Sequence, residues 1–205
     1  MEFEFKDNEI VFDRELSSLD KIVLKFIKIL NKERVDYVII SGYIAILFGR
    51  SRNTEDVDLF IEKMSLEKFK ELWKAFEKNG FECINTSSPK EAYEEFLQNK
   101  TSIRFAIKGT WLPNFELKFP NSKENIYSIS NKIKVSLNGK DLITSEIEMQ
   151  IAFKLKLGSE KDFEDARHLY KVFKEHLNIN KLKSHISEMG VEKEAEETLW
   201  KNFLN

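Results

Sequence analysis

Cysteine is almost absent: the 205-residue chain has one, Cys83. That excludes a disulfide framework within the chain and fits a reducing compartment. Cys83 follows Phe81 in a strand-like run, FECI, and reads as a buried, inert thiol. Proline, with three residues, and glycine, with seven, are scarce too, and neither a low-complexity linker nor an internal repeat interrupts the chain. A long apolar run is also lacking. The longest, YVIISGYIAILFG, is broken by Ser-Gly and is too short to span a bilayer. The start, MEFEFKDNEI, is acidic and lacks the basic-then-apolar layout of a signal peptide. A cytoplasmic protein with no membrane contact is expected. Finally, no sign of charge dominates. Charged residues make up 33% of the chain, yet the net charge is -2. Coating of long nucleic acid by bulk basicity is excluded; a small basic pocket for a nucleotide or a tRNA end is not.

What is present alternates strand-like and helix-like patterns. Ser17 or Ser18 can cap a helix whose apolar positions Leu19, Ile22, Val23, Phe26, Ile27 and Leu30 recur at helical spacing. VDYVII predicts a buried strand, Ser41-Gly42 a turn, and YIAILFG a short helix ending at Gly49. The next strand runs from Asp56 to Ile61, and Ser65 opens an amphipathic helix that stops at Asn79-Gly80. Ser88-Pro89-Lys90-Glu91 is a capping box that starts a helix to about Gln98. SIRFAIKG and NFELKF read as paired strands, and KIKVSLNGKDLIT as a hairpin turning at Asn138-Gly139. A second capping box, Ser145 with Glu148, opens a part that is helical to the end. The expected architecture is an α+β core over residues 1–144 and a helical region over 145–205 packed on it.

One stretch carries chemistry. In a strand, residues i and i+2 face one way, so Asp56 and Asp58 project together while Val57 and Leu59 point to the other side. Two carboxylates that close repel unless one takes a proton or a cation lies between them. Mg²⁺ or Mn²⁺, held with substrate phosphates, resolves the conflict; two solvated aspartates on an edge strand are the alternative. Ser41-Gly42 follows a strand and opens a helix, where backbone N–H groups and the helix dipole receive phosphate oxygens. Arg50 and Arg52, in the connection, carry guanidinium forks that match phosphate, or are ordinary surface charge. Thr54 can hydrogen-bond across the loop and fix the approach to Asp56. His168, His176 and His185 lack metal-ligand spacing and are expected to be solvated. Trp73, Trp111 and Trp200 read as packing residues, with Trp111 the one placed to stack on a base.

Taken together, Ser-Gly after an apolar strand, thirteen intervening residues and then Asp-x-Asp resemble the signature of the nucleotidyltransferase superfamily, whose fold is that of the DNA polymerase beta catalytic domain. The form RNTEDVD, from Arg52 to Asp58, is similar to that of AbiEii/AbiGii-type toxin nucleotidyltransferases. The resemblance implies a mixed-sheet α+β core, a third carboxylate on a later strand and a lysine motif in the helical region. The third carboxylate falls on Glu116, where the family most often has aspartate. A cross-strand pair of Glu116 with a lysine or arginine is the other reading of that residue, and Arg104 on the partner strand faces the same way. In SEIEMQIAFKLKLGSEKDFEDARHLYKVF, Lys154 matches the family's lysine, Lys161-Asp162 stands where Arg-Asp is usual, and Asp165 completes the motif. Lys154 shares a helical stripe with Ile147 and Ile151 and needs an anionic partner, either a triphosphate or Asp162 and Asp165.

By resemblance, the chain would move a nucleoside monophosphate from a triphosphate such as ATP to a hydroxyl of an RNA end (a tRNA end among them) or of a protein, as a toxin with an antitoxin partner. Asp56, Asp58 and Glu116 would be catalytic and metal-binding; Ser41, Gly42, Arg50, Arg52, Thr54 and Lys154 would bind the nucleotide, supported by Asp162 and Asp165. A nucleotide-binding or partner-binding module of the same fold, without transfer, is the alternative. It is favoured by Glu116 and by the altered Lys161-Asp162 motif.

Overall fold

The computed structural model describes residues 2–6 and 8–191; Trp200 and the last part of the expected helical region lie outside the described residues. One mixed sheet of nine strands organises the described chain. Its strands are β1 (Glu4–Lys6), β2 (Glu9–Phe12), β3 (Tyr37–Ile40), β4 (Asp56–Ile61), β5 (Phe81–Cys83), β6 (Ile103–Ile107), β7 (Asn114–Lys118), β8 (Lys132–Leu137) and β9 (Lys140–Ser145). They lie in the order β1-β2-β8-β9-β3-β4-β7-β6-β5. The pairs β2 with β8, β9 with β3 and β4 with β7 are parallel. The helices are α1 (Ser18–Lys32), α2 (Gly42–Leu47), α3 (Leu66–Lys78), α4 (Pro89–Glu91), α5 (Lys123–Ser130), α6 (Ile147–Leu157), α7 (Glu160–Phe173) and α8 (Ile179–Glu188).

Alternation along the central strands divides the sheet into two faces. Tyr37 and Ile39 of β3, Val57, Leu59 and Ile61 of β4, and Phe115 and Leu117 of β7 enter the main core. The apolar stripes of α1 and α3 cover that face. Phe26 lies between Phe115 and Phe76 with ring centroids 3.9 and 4.4 Å away. The other face carries a smaller cluster, Val38, Ile40 and Phe60 with Ile129 of α5. It also carries Asp56, Asp58 and Glu116. Period two therefore places the carboxylates outside the main core, on the surface where α5 and α6 approach.

Local signals behave mostly as the sequence leads one to expect. Ser17 caps α1 in a capping box with Asp20, and Ser65 caps α3. Asn138 and Gly139 take φ of 51° and 68°, as a tight hairpin turn requires. Two expectations are corrected. Ser145 does not cap α6: it ends β9 in register with Lys132, and Glu146 is the N-cap, without a side-chain capping bond. Glu148 instead receives the Asn178 N–H at 2.7 Å. Ser88 does cap the next helix, accepting the Glu91 N–H at 3.2 Å, and the helix reaches Leu97 as expected, but as α4 followed by a π-helical stretch, Ala92–Leu97. Its Glu91 carboxylate takes the Thr86 hydroxyl at 2.6 Å, and Thr86 Oγ1 takes the Ser88 N–H. The N-terminus also forms two strands, β1 and β2, because Phe3 and Phe5 pack on Phe173 while β2 pairs with β8.

Candidate active site

The paired strands β4 and β7 build the acidic half of the site. Their parallel register sets Asp58 opposite Glu116, and a carboxylate oxygen from each of Asp56, Asp58 and Glu116 lies within 4.8 Å of the others. Glu116 is buried, and it is also the cross-strand partner of Arg104 on β6. It accepts from the Ser102 hydroxyl and, at 3.2 Å, from Arg104 Nη2. The Lys118 ammonium sits 3.4 Å from Asp58 Oδ1 and 3.6 Å from Glu116 Oε2. Burial, with Asp56 and Glu116 adding to it, pushes the Asp58 carboxyl up to about 6 against the pull of Lys118. Burial also acts on Glu116, but the Ser102 hydrogen bond and the Lys118 charge outweigh it and bring the group below its ordinary value. Three hard oxygen donors gathered on one face, one of them disposed to hold a proton near neutrality, fit a divalent cation.

The phosphate-type turn lies at the end of β3. Ser41 has φ 65° and ψ -138°, a conformation costly for a residue with a Cβ. Its N–H donates to Gln150 Oε1 at 2.8 Å, and its hydroxyl makes no capping bond. A Cβ on Gly42 would meet Arg52 Nη2 at 2.7 Å. The glycine thus lets the guanidinium lie against the start of α2. Behind the turn, Tyr43 donates to Asp20 Oδ1 at 2.8 Å, and Arg14 grips the same carboxylate with two nitrogens. This buried network anchors α2 to the start of α1. Replacing Ser41 with glycine is expected to relieve about 1 kcal/mol of backbone strain. The melting temperature should then rise by a few degrees; an unchanged melting temperature would mean the turn is not strained.

A basic half faces the acidic one. The expected phosphate ligands Arg50, Arg52 and Lys154 converge on one buried carboxylate, Asp165. Both arginines bond to it, and Lys154 Nζ lies 3.0 Å from its Oδ2. Lys154 also meets Asp162 at 2.7 Å, so the ion-paired alternative for this lysine is the one the structure adopts. Arg50 and Arg52 are accordingly not free surface charges. Burial draws the Lys154 and Arg52 values down, and Asp162 opposes the shift in both. Thr54 joins the halves: Arg52 Nη2 approaches its hydroxyl at 3.5 Å, and that hydroxyl donates to the Asp56 carbonyl at 3.0 Å.

Other residues depart from expectation. His185 is 5% exposed rather than solvated. It shares an inward stripe with Leu182 and Ile186 of α8, a spacing visible in the sequence. Half-buried His168 meets the Phe48 carbonyl at 3.0 Å, and His176, though exposed, stacks on Phe5. Trp73 is in the core, but Trp111 is 73% exposed with Leu112 beside it. Both stand in the loop leading to Asn114, the ladder partner of Asp56. Cys83 is half-buried, and burial pushes its thiol up. Gln150 was missed by sequence reasoning. Its carboxamide holds Ser41 and donates to Ser145 Oγ, and its place four residues before Lys154, on the same side of α6, was the available signal. Among the described residues no helix is long and apolar enough to cross a membrane.

No family model matches the chain, and no curated protein matches its sequence. Solved structures do. An antigenic nucleotidyltransferase-like protein from Paracoccidioides brasiliensis superposes with a TM-score of 0.55 at 19% identity, over 91% of this chain and 94% of that one. The antibiotic-resistance factor ANT(2'')-Ia in solution gives 0.57 at 13% identity, over 91% and 100%. The lincosamide antibiotic adenylyltransferase LnuA, with lincomycin bound, gives 0.52 at 11% identity, over 78% and 99%. The fold is therefore the mixed-sheet, nucleotidyltransferase-like α+β fold that the sequence leads one to expect.

Proposed function

We propose that the protein is a metal-dependent nucleotidyltransferase that moves a nucleoside monophosphate from a triphosphate, ATP among them, to a hydroxyl. The observation that carries this reading is the meeting, on one sheet face, of three carboxylates with a helix-opening Ser-Gly turn and three converging cations. Asp56, Asp58 and Glu116 would hold the cation, Mg²⁺ or Mn²⁺. Once bound, it neutralises charge on the phosphoryl oxygens and eases loss of the attacking hydroxyl's proton. The Ser41 hydroxyl and the start of α2 receive the terminal phosphates. Arg52 and Lys154 offset their charge, while Arg50 and Thr54 hold the loop that carries Arg52. Glu116, kept ionised, accepts the proton of the acceptor hydroxyl. The acceptor oxygen bonds to the α-phosphorus, the bond to the bridging oxygen breaks, and pyrophosphate leaves.

In this reading the chain through β9 is the catalytic core, and the helices after it supply Lys154, Asp162 and Asp165. The acceptor is an RNA end or a protein hydroxyl, and the RNTEDVD motif supports a toxin role with an antitoxin partner. The test uses Mg²⁺, each α-labelled triphosphate, and total tRNA with cell extract, beside Asp58→Asn. Label passing to RNA or protein with the wild type alone is the expected result. No transfer by the wild type would sink the reading. The neutralisation of Arg50 and Arg52 by Asp165 favours a second one, a nucleotide-binding or partner-binding module, which would bind the triphosphate without transfer. Trp111 gives a further check on the acceptor. If a base stacks there, Trp111→Ala raises the acceptor KM by about tenfold and leaves the triphosphate KM unchanged. An unchanged acceptor KM removes Trp111 from the site.

A further inference from the structure

Asn114 opens β7 and pairs in register with Asp56, two residues before the pair Asp58 and Glu116. Asn114, Glu116 and Lys118 alternate with Phe115 and Leu117, which belong to the main core, so Asn114 shares the carboxylates' face. It is 7% exposed. Its backbone N–H donates to the Glu55 carbonyl at 2.9 Å, and its side-chain Nδ2 donates to the same carbonyl at 3.3 Å. The second contact fixes which end of the amide is nitrogen. The other end, Oδ1, is buried and has no hydrogen-bond partner among the described residues. A buried amide oxygen left unpaired has lost its hydration with no protein bond to offset the loss. Holding the Glu55 carbonyl needs only the nitrogen and does not account for the oxygen.

We infer that Asn114 is a fourth member of the cation site, lending a neutral oxygen, directly or through one bound water, to the ion held by Asp56, Asp58 and Glu116. The inference rests on the metal-dependent reading given above. Its chemistry is specific: three carboxylates already crowd the face, and an amide oxygen adds a hard donor without a further negative charge. The register supplies the geometry, a two-by-two grid of oxygen-bearing side chains on two adjacent parallel strands.

The test is Mn²⁺ binding, followed by the resonance signal of the free ion, together with thermal melting with and without Mn²⁺. It compares the full chain with Asn114→Leu, Asn114→Asp and Asp58→Asn. Without added cation, Asn114→Leu should melt no lower than the wild type, since the unpaired oxygen is gone. Its Mn²⁺ dissociation constant should rise about tenfold or more. Asn114→Asp should bind Mn²⁺ more tightly than the wild type and melt lower without it. Wild-type affinity in Asn114→Leu overturns the inference, and should that variant fail to fold, an Asn114→Asp that binds no tighter does so equally. A wild type that binds Mn²⁺, loses it in Asp58→Asn and keeps it in both Asn114 variants overturns this inference alone. A wild type that binds no Mn²⁺ overturns the metal-dependent reading with it.

Discussion

Asp58→Asn is expected to abolish nucleotide transfer, by on the order of 10³-fold, and at the same time to make the protein harder to melt at pH 7.5 without added cation. The two effects have one cause. Asp58 is buried beside Asp56 and Glu116, and its carboxyl is pushed from the ordinary 3.8 to about 6 by burial first and then by those neighbours. A carboxyl raised in the folded state binds its proton more tightly there than in the unfolded chain. Its contribution to stability is complete below about pH 4, where both states are protonated. It declines as pH rises and is lost above about 6. Asparagine copies the protonated form at every pH. The variant should therefore match the wild type near pH 4 and exceed it above pH 6, by roughly 3 kcal/mol, or on the order of 10 °C for a chain of this size. Mn²⁺ should stabilise the wild type and leave Asp58→Asn unmoved. A variant that melts below the wild type at pH 7.5, or one that still transfers label, is incompatible with a strained carboxylate site.

Much of that site can be read from the sequence because its signals are local. Asp56 and Asp58 share a face by period two, and Ser41-Gly42 is marked by the β-branched run before it. The cap at Ser65 and the turn at Asn138-Gly139 need only their neighbours. What sequence could not supply is register. Alternation in NFELKF places Glu116 on a face, but only the parallel ladder of β4 and β7 sets it opposite Asp58 and sets Asn114 opposite Asp56. That pairing joins segments 58 residues apart, while the antiparallel ladder of β6 and β7 makes Glu116 the cross-strand partner of Arg104 as well. The charge partner of the two arginines escaped for the same reason. Arg50 and Arg52 carry phosphate-like guanidinium forks, and nothing local to them reveals Asp165 more than 110 residues later. Ser145 misled in the opposite direction. Its spacing to Glu148 is a sound capping signal, but the ladder bond to β8 holds Ser145 as strand, and tertiary pairing overrode the local preference. The strands β1 and β2 carry too few residues for periodicity to mark them, and they depend on β8 and on Phe173 for their partners.

Asp165→Asn should cost more stability than any other single change at the site, about 3–5 kcal/mol, which for this chain is a fall in melting temperature of about 10 °C or more. Asp165 is fully buried and meets Arg50, Arg52 and Lys154 at once. Neutralising it leaves three cations gathered around an uncharged side chain, with Asp162 on Lys154 as the remaining ion-paired carboxylate. An asparagine keeps the volume, so the loss is electrostatic rather than a cavity. The same charge balance predicts a rescue. The wild-type cluster of three cations and two carboxylates carries about one net positive charge; the variant carries about two. Pyrophosphate or tripolyphosphate should therefore stabilise Asp165→Asn by more degrees than it stabilises the wild type. High salt without a polyphosphate should narrow the deficit only weakly, because buried charges are poorly screened. If the polyphosphates raise both proteins equally, the cations are not facing the phosphate site and Asp165 only ties α7 to the loop after α2. If they rescue the variant selectively, Asp165 stands where a phosphate charge would otherwise be needed. The arginines and lysine would then be positioned by it before any nucleotide arrives.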